Sequence, residues 1–137
     1  MFAEFELLMH NKEAEGIALT EEEFSNTYFE LNKLYYGDNV ISDDLIRYEW
    51  ARIPHFYTSF YVYKYATGLS CAIKIASDII NKKENALENY IDFLSSGGSD
   101  YPINILKKTG IDITKPDTVN DALSYFKEKV EELKSLI

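Results

Sequence analysis

A chain of 137 residues, 46% apolar and 27% charged, is long enough to bury a core and has an ordinary globular composition. Its net charge of −9 is unevenly placed: residues 1–50 carry twelve acids against three bases, residues 51–137 eleven of each. That balance excludes the concentrated basic face that nucleic acid or anionic lipid would need. The single Cys71 excludes an intrachain disulfide framework and fits a cytoplasmic protein. No stretch is apolar enough for a membrane span, and the N-terminus lacks the basic and long apolar regions of a signal peptide.

In chain order, Phe2, Phe5, Leu8 and Met9 recur at helical spacing, which predicts a helix over 2–15 stopped at Gly16. Thr20 followed by Glu23 forms a capping-box pattern and opens a second helix. Its inner stripe is Phe24, Tyr28, Leu31 and Tyr35, and Gly37-Asp38 ends it. Ser42 is placed as the N-cap of a short third helix carrying Leu45, Ile46 and Trp50. Pro54 interrupts, and Glu49 and Arg52 read as a structural ion pair around that corner.

A long fourth helix is expected over 57–82, with Gly68 inside it at a cost of about 1 kcal/mol relative to Ala. Such a glycine fits either close approach of a ligand or backbone, or simple tight packing of helices. A fifth helix is expected over 85–94, stopped by Gly97-Gly98, and a sixth from Pro102 to Gly110. In the last, Thr118 is placed as the cap and Val119, Ala122, Phe126, Val130, Leu133 and Ile137 recur along one face. The pattern predicts an all-α chain of about six to seven helices and one domain, 1–137.

Phosphate-cradling loops, dinucleotide fingerprints and nucleophile elbows are absent. His10 and His55 stand 45 positions apart, and neither belongs to a His-Glu-x-x-His pair, so a metal site within this chain is not expected. The segment that stands out is Ile53-Pro54-His55-Phe56-Tyr57-Thr58-Ser59-Phe60-Tyr61-Val62-Tyr63-Lys64-Tyr65-Ala66-Thr67-Gly68. Six aromatic rings occupy ten positions there, directly after a histidine. On a continuous helix at about 100° per residue, Tyr57, Tyr61 and Tyr65 share one face and Phe56, Phe60, Tyr63 and Thr67 the other. Tyr61 and Tyr63 would then lie about 200° apart. Taken without any relative, His55 reads as a helix-entry or core histidine, and each tyrosine as core packing with its hydroxyl satisfied.

That segment resembles the signature near the C-terminus of oligoendopeptidase F, in the thimet-oligopeptidase-like family of zinc metallopeptidases. Met1-Phe2-Ala3-Glu4-Phe5-Glu6, Leu31-Asn32-Lys33-Leu34-Tyr35-Tyr36-Gly37 and Glu49-Trp50-Ala51-Arg52 resemble other segments of the same family. The resemblance implies the C-terminal segment of a zincin-like catalytic domain that hydrolyses peptide bonds in short peptides. It implies zinc in the parent enzyme, held upstream by His-Glu-x-x-His and a further Glu, and no cofactor in this chain alone. The chain is then expected to be a fragment, either a truncated gene product or an excised piece, without peptidase activity of its own.

In such enzymes the metal polarises the scissile carbonyl, and a histidine and tyrosines of the C-terminal helices donate hydrogen bonds to the developing oxyanion. Carried over by position, the resemblance names His55, Tyr63 and Tyr61 as catalytic donors, and Tyr57 and Gly68 as substrate-binding. More distant members carry Tyr where this chain has Phe56 and Phe60, which leaves the assignment among the tyrosines open. A severed segment should also expose apolar surface and form a homo-oligomer. A different class of function, a non-catalytic helical module that binds a protein partner, stays open beside it.

Overall fold

The computed structural model describes residues 1–137, and every regular element is helical. Six α-helices occur: α1 (Phe2–Ala14), α2 (Glu21–Tyr36), α3 (Tyr63–Ile80), α4 (Ala86–Ser95), α5 (Pro102–Lys107) and α6 (Asp117–Leu136). Two 3-10 helices, Asp44–Arg52 and Pro54–Tyr57, lie between α2 and α3. The chain divides into two compact units, Met1–Lys64 and Tyr65–Ile137.

In the first unit, α1 ends as its glycine predicts. Gly16 takes a left-handed φ of 79°, and the Ile17 N–H reaches back to the Lys12 carbonyl at 2.9 Å. At the start of α2, the Thr20 hydroxyl accepts the Glu23 N–H at 3.2 Å. The expected inner stripes meet over most of their length: Phe5 and Met9 of α1 and Tyr28 and Leu31 of α2 form the core together with Ile53, whereas Tyr35, expected on the α2 stripe, is exposed. Phe5 sits among rings, with Phe24, Tyr28 and Phe56 at 6.1, 5.1 and 5.2 Å. Leu8, Phe24 and Trp50 are half-buried against this cluster.

The expected short third helix is a nine-residue 3-10 helix, and its cap is Asp43, whose carboxylate accepts the Leu45 N–H at 2.7 Å. Ser42 does not cap it; its hydroxyl donates to the Asn32 side chain at 2.9 Å. Runs of 3-10 helix this long are uncommon, and side chains on the α2 side explain this one. At three residues per turn, Arg47, Trp50 and Ile53 line up. Arg47 lies over the Phe29 ring at 4.8 Å, Trp50 stacks on Phe24 at 4.7 Å, and Ile53 enters the core. Trp50 Nε1 also donates to Ser25 Oγ at 3.2 Å. The neighbouring row presents Glu49, which accepts the buried Tyr28 hydroxyl at 2.7 Å and pairs with Arg52, as the sequence suggests.

The fourth helix begins later than position 57. Pro54–Tyr57 forms one 3-10 turn, residues 58–62 form a non-helical connection, and α3 starts at Tyr63. Phe60 accounts for the break. Its φ of 54° is left-handed, which no residue of a right-handed helix adopts. The face assignment for Tyr57 and Tyr61 drawn from a continuous helix is therefore corrected.

The second unit contains α3 from Tyr65 onward, and α4, α5 and α6. Its buried apolar side chains are few: Cys71, Ile105, Ile111 and Ala122. Lys74 of α3 joins α6 through Asp121 at 3.0 Å and reaches Asp78 on its own helix at 3.2 Å. Thr118 lies inside the first turn of α6, after Pro116 in the capping position, and is buried rather than capping. Of the apolar stripe expected on α6, Ala122 is buried, whereas Phe126, Leu133 and Ile137 remain exposed.

Candidate active-site segment

Four of the five candidate residues lie in the first unit, within nine positions of one another. Pro54 opens the short 3-10 helix at its first position, where the missing N–H costs nothing. His55 follows, half-buried, and the buried Ile53 and half-buried Phe56 on either side fix the turn to the core. After the break at Phe60 the chain returns, so that the Tyr61 ring stacks on the His55 imidazole, centroids 5.6 Å apart and planes at 28°. Lys64 Nζ sits 4.8 Å from the centroid of the same Tyr61 ring. A phenol flanked by an imidazole and an ammonium is a compact cluster of hydrogen-bond donors, and its cation–π contact adds about 0.5–1 kcal/mol at an exposed site.

The turn is held by backbone bonds. Tyr61 N–H donates to the Thr58 carbonyl at 3.2 Å, and Lys64 N–H donates to the Tyr61 carbonyl at 3.3 Å as α3 begins. Tyr61 and Tyr63 stay 38% and 47% exposed. Tyr57 is 74% exposed, yet its hydroxyl proton is committed to the Ala51 carbonyl at 2.8 Å, so it closes the 3-10 corner. Gly68 belongs to α3 in the second unit, and a Cβ added there would meet no heavy atom within 4 Å. Tight packing within residues 1–137 therefore does not explain that glycine.

One residue was missed in the sequence. Glu6 is 5% exposed on α1, and its carboxylate Oε1 accepts the Phe60 N–H at 2.7 Å. The signal was available: positions 2, 5, 6 and 9 complete one helical face, so Glu6 shares the buried side of α1 with Phe5 and Met9. His10, one turn further on, stacks on the Phe60 ring at 4.3 Å. No three His, Cys, Asp or Glu side chains gather closely enough to hold a metal ion, so the residues of this chain do not fit a zinc site.

The profile of peptidase family M3 matches residues 1–125. The chain belongs to that family. Among M3 relatives, oligopeptidase PepF of Bacillus subtilis is 49% identical over 137 residues, which is all of this chain and 20% of the relative. Group B oligopeptidase PepB of Streptococcus agalactiae is 44% identical over 136 residues, 99% of this chain and 23% of PepB. The crystal structure of oligoendopeptidase-F from Enterococcus faecium superposes with a TM-score of 0.94 at 46% identity, covering 98% of this chain and 26% of that one. The chain thus spans about a fifth to a quarter of the relatives it matches, and its all-helical fold superposes on the corresponding quarter of the solved one.

Proposed function

We propose that residues 1–137 form the C-terminal substrate-channel segment of a cytoplasmic zinc oligoendopeptidase, a piece of a larger catalytic domain acting on short peptides. In this reading His55, Tyr63 and Tyr61 donate hydrogen bonds to the scissile carbonyl and to the oxyanion that develops from it. What carries the reading is the pairing of the His55 imidazole with the Tyr61 phenol at 5.6 Å, on an exposed turn whose next helix begins with the half-exposed Tyr63. Both side-chain types keep a donatable proton at neutral pH. Donors aimed at a charge that exists only in the transition state raise turnover rather than affinity. Tyr57, whose proton serves Ala51, contacts substrate in this reading through its ring or as an acceptor. Gly68 leaves room for the peptide backbone. The parent enzyme's zinc is held by side chains outside residues 1–137.

The test is made in the full-length enzyme with a quenched fluorescent short peptide. Tyr63→Phe should lower kcat about 100-fold, with KM changed much less. An unchanged kcat removes Tyr63 from the donors. The 137-residue chain by itself should leave the same peptide intact, and hydrolysis by it would overturn the assignment of the metal to other residues.

A further inference from the structure

We infer that Glu6 is a positioning residue for the His55–Tyr61 pair, acting through the Phe60 amide. A carboxylate is costly to bury, and Glu6 is 5% exposed on a helix face otherwise given to Phe5 and Met9. Its Oε1 accepts one bond from far along the chain, the Phe60 N–H at 2.7 Å. Phe60 is also where the backbone turns left-handed, at φ 54°, a conformation that a bulky side chain rarely adopts unless its surroundings impose it. Two contacts from α1 impose it here: the Glu6 carboxylate on the amide and the His10 ring on the phenyl ring, at 4.3 Å.

The next residue after this enforced reversal is Tyr61. Its N–H closes the turn on Thr58, and its ring lands on His55. Were residues 57–63 to continue the helical course on either side of them instead, a helical path at about 100° per residue would carry Tyr61 away from His55. The carboxylate therefore fixes a turn whose product is the pairing of two candidate donors. This inference rests on the proposed role of His55 and Tyr61 for its catalytic consequence, and on the structure alone for its geometry.

The geometry is tested in the 137-residue chain by NMR. The imidazole C–H resonances of His55, assigned by their loss in His55→Gln, carry the ring-current shift of the Tyr61 face. In Glu6→Ala they should move as far as in Tyr61→Ala. In Glu6→Gln, whose amide oxygen still accepts the Phe60 N–H, they should stay at their wild-type positions. Unmoved resonances in Glu6→Ala, or equal movement in Glu6→Gln, would overturn the inference. Should Glu6→Ala fail to fold by circular dichroism, Glu6→Ala/Phe60→Gly replaces it, because glycine adopts positive φ unaided. That double variant should refold with the His55 resonances near their wild-type positions, and a double variant that stays unfolded or shifted would count against the inference.

The catalytic consequence is read in the full-length enzyme. Glu6→Ala should lower kcat as far as Tyr61→Ala does, and Glu6→Ala combined with Tyr61→Ala no further. If Tyr61→Ala leaves turnover at the wild-type level while Glu6→Ala still moves the His55 resonances, the proposed role of the pair fails and the positioning stands. If Tyr61→Ala slows turnover while Glu6→Ala changes neither quantity, the positioning fails and the role stands.

Discussion

Tyr28 is wholly enclosed between α1, α2 and the long 3-10 helix, and it delivers its hydroxyl to Glu49. Burial, then the bond to Glu49, push its phenol far above the usual range, so it is a donor at neutral pH. Removing that hydroxyl leaves Glu49 with Arg52 but without its buried donor. Tyr28→Phe should therefore cost about 2 kcal/mol, read as a lower urea midpoint with an unchanged slope. An equal midpoint would mean that water or Arg52 replaces the phenol fully. Residues such as Phe5, Met9, Tyr28 and Leu31 were legible because the 3.6-residue period alone selects them. Glu6 obeys the same period and was hidden by its charge, since acids on a helix are ordinarily solvated. The ion pair of Glu49 with Arg52 was legible from spacing, but its link to Tyr28 was not, because that contact joins positions 21 apart.

Helices α1 and α2 announce themselves through local chemistry: a threonine cap, a first turn of Glu21, Glu22 and Glu23, and glycines past each end. The elements from 43 to 63 do not. A stripe at three-residue spacing looks like a short α-helix until the aromatic face of α2 is in place. The break before α3 depends on a carboxylate 54 positions away. His55 and Tyr61 were singled out by composition and resemblance, whereas their stacking required the turn that local sequence does not encode. Within the second unit the best-defined link is electrostatic. Burial pushes the Asp78 carboxyl up, but the Lys83 and Lys74 ammonium groups outweigh it and hold it below the usual carboxylate range. Lys74 is raised, chiefly by its bond to Asp121 against a smaller opposing effect of burial.

The signs of these two shifts define a plateau. The contribution of Asp78 is complete above the unfolded carboxylate value of about 4 and is lost as pH falls through its lower folded value. That of Lys74 is complete below about 10.4 and is lost as pH rises beyond it. Asp78→Asn should accordingly lower the Tm at pH 7, with the gap from wild type closing in acid below about pH 4. Calorimetry across that range checks it, and a gap that persists undiminished in acid would show that the charge of Asp78 is not what stabilises.

Across the whole molecule, apolar side chains are unevenly covered. In the second unit Leu69, Ile80, Leu87, Ile91, Leu94, Leu123, Phe126 and Leu133 are all more than half exposed, far outnumbering its buried ones. A chain that spans a fifth to a quarter of its relatives has a ready reason for uncovered surface, and apolar surface in water finds cover. The 137-residue chain should therefore form a homo-oligomer, visible as a sedimentation coefficient that rises with concentration. A single monomeric boundary at several hundred micromolar would refute this. No helix is long and apolar enough to cross a membrane.

Cys71, the sole thiol, lies buried on α3, and its burial raises its pKa and keeps it protonated. A maleimide added to the native protein reaches that sulfur chiefly in moments when α3 loosens. The second unit thus contains its own stopwatch: the pace of labelling counts its transient openings without any engineered probe, and a second copy clamped over the exposed leucines would slow the count.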